Sequence, residues 1–131
     1  MRFVFLGSGG SCHTPERATT GVYLPEYGIL LDGGTNVFTL RALHPEGPLH
    51  VLMSHWHVDH SIGLNFLCAG LFHDRRVSVE VYGPPWEDRY QTAFGETSAL
   101  WPIPLPFPIR QAPAEFTLAG VRVRTLEVPH N

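Results

Sequence analysis

Short apolar runs separated by glycine- and proline-marked breaks recur along the chain, and that rhythm predicts strands first. Phe3-Val4-Phe5-Leu6 is an unbroken run of β-formers, which predicts a buried strand ending at the flexible loop Gly7-Ser8-Gly9-Gly10-Ser11. Residues 20–24 and 28–32 predict two further strands joined by the turn Pro25-Glu26-Tyr27-Gly28. Residues 36–43 have helical spacing, with Val37 and Leu40, and Leu43 at the end, on one face, and a break at Pro45. Residues 49–53 predict the next buried strand and residues 61–73 a helix, with Ile62, Phe66, Leu67 and Leu71 near helical spacing. Residues 77–83 alternate apolar and polar side chains, as a half-buried strand does. Strand, helix, strand in that order favours a parallel-sheet unit and an α/β class.

Residues 86–94 predict a short helix, and residues 101–113 carry five prolines, at 102, 104, 106, 108 and 113. That stretch reads either as a rigid, extended surface connection or as a flap presenting Trp101 and Phe107 to a substrate or partner. Residues 116–118 and 121–126 predict a hairpin across Ala119-Gly120, leading into Val128-Pro129-His130-Asn131. There is no internal repeat and no linker, so residues 1–131 are expected to form a single domain.

Composition narrows the classes. Hydrophobic content of 44% with 16% charge belongs to a globular chain rather than a disordered one. The net charge of −3, with nine basic residues that are all arginine, gives no basic stripe of the kind tight nucleic-acid binding uses. Cys12 and Cys68 are far apart and outside any C-x-x-C spacing, which predicts reduced thiols and a cytoplasmic setting. The apolar start is too short for a signal peptide, and no run reaches the roughly 20 residues of a membrane span.

The chemistry gathers in His55-Trp56-His57-Val58-Asp59-His60, directly after a predicted strand. Neutral imidazoles and a carboxylate suit zinc and neighbouring divalent ions, and packing gives no reason to crowd them. In an extended segment His55, His57 and Asp59 would alternate onto one side, with His60 at the turn into the helix. Two adjacent metal positions are then one reading, beside a single structural zinc or plain surface histidines; ions roughly 3.5–4 Å apart can share a bridging hydroxide that attacks a phosphoryl or carbonyl group. Asp32, after three aliphatics and before Gly33-Gly34, serves either to cap the next turn or to support a metal ligand. The glycine loop at 7–11 lacks the spacing of a phosphate cradle and reads as a turn. His13 and Arg17, in the polar loop after it, are either solvated or turned toward a substrate.

The H-x-H-x-D-H pattern formed by His55, His57, Asp59 and His60 resembles the signature of the metallo-β-lactamase superfamily. Ile29-Leu30-Leu31-Asp32-Gly33-Gly34 resembles that family's earlier Leu-Leu-Asp-x-Gly motif. Gly63-Leu64 follows the cluster, and Val128-Pro129-His130 resembles the segment that supplies a third histidine to the first metal. Phe5-Leu6-Gly7-Ser8-Gly9-Gly10, the Pro15-Glu16-Arg17 loop and Tyr82-Gly83-Pro84 look most like the ribonuclease Z and small-phosphodiesterase branch. The resemblance implies an αββα sandwich, of which this chain would supply roughly the N-terminal half. It also implies two divalent ions, zinc first with manganese or iron as alternatives. It assigns His55, His57 and His130 to one ion and Asp59 and His60 to the other. Asp59 would also handle the proton of the attacking water, with Asp32 behind the ligands.

Two departures shape the expected substrate. The Pro15-Glu16-Arg17-Ala18 loop lacks the lysine and the Arg-Asn pair expected of a tRNA-processing member. With the acidic balance, that favours a small phosphodiester or nucleotide-type substrate over tRNA, with a homodimer left open. The sequence stops one residue after His130, without the family's bridging aspartate and last histidine. The expected function is metal-dependent phosphodiester hydrolysis. The alternatives are hydrolysis of a thioester or lactone on the same metals, or a non-catalytic metal-binding module.

Overall fold

Among the described residues, six strands form one mixed sheet in sequential order: β1 (Val4–Gly7), β2 (Gly21–Leu24), β3 (Ile29–Leu31), β4 (Gly47–Leu52), β5 (Val77–Gly83) and β6 (Ile109–Gln111). The first two pairings are antiparallel, and β3 to β6 run parallel. A 3-10 turn at Val37–Thr39 runs into α1 (Leu40–Leu43); α2 (Val58–Ser61) and α3 (Gly63–Leu71) follow β4. A hairpin of β7 (Glu115–Leu118) and β8 (Val121–Arg124) pairs separately, outside that sheet's hydrogen-bonded ladder. The computed structural model describes residues 1–44, 46–71, 76–85, 105 and 107–130, with 68–71 as backbone. The helix expected at 86–94, most of the proline-rich stretch and the side chain of Cys68 lie outside the described residues.

Strand register sorts the sheet into two faces. Val4, Tyr23, Leu30, Val51, Val81 and Ile109 are in register across all six strands. They pack with Val37, Leu40, Leu64 and Leu67 from the helices into the main core. Each fully buried aliphatic there contributes about 1.5–3 kcal/mol. On the opposite face, the hairpin lays Phe116, Leu118, Val121 and Val123 against Leu24, Ile29, Leu31, Leu52 and Tyr82. The hairpin turns at Ala119 and Gly120, both at positive φ (48° and 77°), the conformation that matches the twist of tightly joined strands.

Several expectations need correcting. The opening run is not a buried strand: Phe3 and Phe5 are 52% and 71% exposed, and only Leu6 is buried. β1 is an edge strand, so its alternate side chains face away from the helices, beyond the area the hairpin covers. Leu43 is 42% exposed, because the 3-10 turn shifts the helical register and leaves Val37 and Leu40 inside. The helix after the cluster is split at Ile62, and its buried face is Leu64 and Leu67 rather than Phe66. Its position is set by backbone contact. Gly63 N–H donates to Gly33 C=O at 2.8 Å, and a Cβ at Gly63 would lie 2.2 Å from the Gly34 oxygen.

Candidate metal centre

The histidine cluster leaves the C-terminal end of β4, where parallel strands of an α/β sheet present their loops. Met53 N–H donates to Tyr82 C=O at 2.7 Å, so the sheet ladder runs one residue further and fixes the exit. Trp56 then buries its ring (5% exposed) and points its indole N–H at the carbonyls of Pro84 and Pro85, each at 3.2 Å. A Cβ at Gly83 would meet that ring at 2.7 Å, so glycine there makes room for it. With Trp56 turned inward, His55 and His57 on either side face out. His57 is the N-cap of α2, and buried Ser61 donates its hydroxyl to the His57 carbonyl at 2.9 Å.

The expected alternation stops at His57. Asp59 lies inside α2, not in an extended segment, so the helical turn rather than the strand period sets its direction. Its Oδ2 comes 3.4 Å from His60 Nε2. His60 turns its other nitrogen, Nδ1, to Asp32 Oδ2 at 2.8 Å. A carboxylate only accepts, so His60 Nδ1 carries a proton toward Asp32, while Nε2 faces the Asp59 carboxylate.

Asp32 is buried, with φ at 58°, a conformation uncommon outside glycine. Its amide donates to Leu52 C=O at 2.9 Å, which holds the chain in that turn. Its carboxylate accepts from the Ser54 amide at 2.7 Å and meets the Ser54 hydroxyl at 3.0 and 2.8 Å. Gly33 N–H, one residue on, donates to the His60 carbonyl at 2.6 Å. The end of β3 thus grips the histidine loop from both backbone and side chain.

His130 arrives from the far end of the chain. Thr125 anchors the segment before it, its amide to Ala114 C=O at 3.0 Å and its hydroxyl to Pro113 C=O at 3.2 Å. His130 Nε2 lies 3.3 Å from His57 Nδ1. One ligand nitrogen each from His55, His57 and His130 falls within 4.8 Å of the other two. Zn–N bonds of roughly 2.0–2.1 Å in a tetrahedron separate ligand atoms by about 3.4 Å, so the His57–His130 spacing is one such edge. Burial depresses the His55 pKa, and the neighbouring His60, His57 and His130 push it the same way against the opposing pull of Asp32. That shift favours the neutral ring, the form that ligates.

His13 and Arg17 are exposed and belong to a loop, not to the histidine group. His13 Nδ1 pairs with the Thr35 hydroxyl at 3.1 Å, tying its loop to the segment that follows Gly33-Gly34. Arg17 closes a turn on Thr14, its amide on the Thr14 hydroxyl at 3.1 Å. The pattern of the sequence assigns no role to Ser54, Trp56 or Ser61.

Histidines and carboxylates gathered at the C-terminal end of a mixed sheet are a donor set that suits divalent metal ions. The sequence profile of the metallo-beta-lactamase superfamily matches residues 15–131, and the chain belongs to that superfamily. It is similar to the ribonuclease Z of Haloferax volcanii, 36% identical over 65% of this chain and 28% of that protein. Against the ribonuclease Z of Ignicoccus hospitalis it is 31% identical over 98% of this chain and 45% of the relative. The ribonuclease Z of Methanopyrus kandleri is 36% identical over 61% of this chain and 30% of its own length. The chain thus spans less than half the length of these relatives. No solved structure gave a significant match. The family and the fold class expected from the motifs are those found, and divalent metal binding comes with the family. The three converging imidazoles fit such an ion.

Proposed function

We infer that the protein carrying this chain is a metal-dependent hydrolase of phosphodiester bonds. The observation that supports it is the meeting of His55, His57 and His130 beside the Asp59–His60 pair, in a chain whose similar proteins are named ribonucleases. In this reading His55, His57 and His130 hold one ion while Asp59 and His60 contribute to a second. Zinc suits three neutral imidazoles better than manganese or iron does. Divalent ions in such a site activate water near neutral pH and offset charge on the phosphoryl oxygens. Asp59 would take the proton of the attacking water, and Asp32 holds His60 so that its Nε2 faces the Asp59 carboxylate.

The name of the relatives points to RNA as the substrate to test first. The absence of lysine and the net charge of −3 favour a smaller phosphodiester as the second reading. His13 and Arg17, on a loop tied to Thr35, would touch the substrate's phosphate. The test is release of nitrophenol from bis-p-nitrophenyl phosphate by the full protein, run beside a short RNA and a thioester panel. Turnover of the phosphodiesters, lowered about 10²–10⁴-fold by Asp59→Ala, is the expected result. Silence on both phosphodiesters with activity on thioesters would overturn the reading.

A further inference from the structure

We propose that Ser54 is a positioning residue that fixes the tautomer of His55 and so presents the His55 Nε2 to a metal ion. The deduction starts from proton counting. The Ser54 hydroxyl lies 3.0 and 2.8 Å from the two oxygens of Asp32 and 2.9 Å from His55 Nδ1. A hydroxyl has one proton, and a carboxylate offers none. Were that proton aimed at His55, the lone pairs of Ser54 would face both Asp32 oxygens at hydrogen-bond distance, an arrangement with repulsion and no bond. The proton therefore goes to Asp32, and the Ser54 oxygen accepts from His55 Nδ1–H.

The consequence reaches the whole centre. With Nδ1 protonated, the only lone pair His55 has left is on Nε2. His55 lies at the middle of the group, its ring centroid 4.2 Å from that of His60, 4.6 Å from His57 and 4.5 Å from His130. Asp32 orients His60 directly and His55 through Ser54, so a single buried carboxylate sets one ligand of each proposed ion. Outer groups of this kind tune metal affinity by 10–100-fold. The inference rests on the metal-centre reading above, but its first readout does not need the metal.

The experiment records long-range proton–nitrogen spectra of the histidine rings in the metal-free full protein, then titrates zinc against a chromogenic chelator. Wild type is expected to show His55 in the Nδ1–H form. Ser54→Ala releases it to a mixture or to the Nε2–H form, and weakens zinc binding about 10–100-fold. Ser54→Thr, which keeps the hydroxyl, restores both. A wild-type His55 in the Nε2–H form overturns the proposal even if the alanine variant fails to fold. So does a folded Ser54→Ala protein with wild-type tautomer and affinity. If wild type binds no divalent ion while Ser54→Ala still releases the tautomer, the relay stands and the metal-centre reading falls.

Discussion

At Asp32 the backbone takes a conformation that costs a non-glycine residue about 1–3 kcal/mol, and the carboxylate it aims meets Ser54 and His60. Asp32→Asn separates charge from backbone, since asparagine tolerates positive φ equally well. It should leave the fold intact and weaken divalent-ion binding about 10–100-fold, measured by chelator competition. A second buried pair lies away from the proposed metal ligands. The Tyr23 hydroxyl and His44 Nδ1 are hydrogen-bonded at 2.7 Å, with both residues buried. Tyr23→Phe strands that nitrogen and should cost about 1–3 kcal/mol in denaturant unfolding. Burial lowers the His44 pKa, so the folded value lies below the unfolded one near 6.5. Its contribution is then present above about pH 6.5 and is lost as pH falls through the folded value, because the unfolded chain takes up the proton first. Unfolding midpoints followed downward from pH 7.5 should fall, and should fall less steeply in His44→Gln; equal slopes would contradict this.

Among the elements, strands were read from the sequence more faithfully than helices. A run such as Leu49-His50-Val51-Leu52 places its aliphatics by the period of two, which no neighbour can alter, and β5 alternates as expected. Helix phase depends on where the helix starts, and that start is a tertiary contact. Gly63 seats on Gly33 and Gly34 and turns Leu64 and Leu67 inward, which no spacing of apolar residues could reveal. The same holds for Asp59, whose place in α2 follows from His57 serving as the N-cap. His130 was found by its motif alone, since its path depends on anchors at Ala114 and Pro113. Ser54 went unseen because its meaning lies in Asp32, 22 residues earlier. Gly63→Ala tests the seating of α3 directly. The added carbon, 2.2 Å from a backbone oxygen, should cost about 1–3 kcal/mol or more and loosen His60 through Gly33. Unchanged thermal stability would contradict that contact.

Across the whole molecule, the helices close one face of the sheet and the hairpin closes part of the other. Phe5, Val22, Leu31, Leu52 and Tyr82 form a row on that second face, from the exposed Phe5 at the β1 edge to side chains the hairpin half covers. The proposed metal ligands sit at the rim shared by both layers, so His130 comes from the hairpin side and the other histidines from the β4 exit. Phosphodiester turnover should therefore vanish when metal is chelated and return on adding zinc or manganese. Metal content of the full protein, determined by elemental analysis after exhaustive dialysis, tests the central claim most directly. Two equivalents of divalent ion per chain, falling to one or fewer in a folded His55→Ala variant, is the predicted result. A folded wild-type protein holding no divalent ion, or one whose metal content is indifferent to His55, would contradict it.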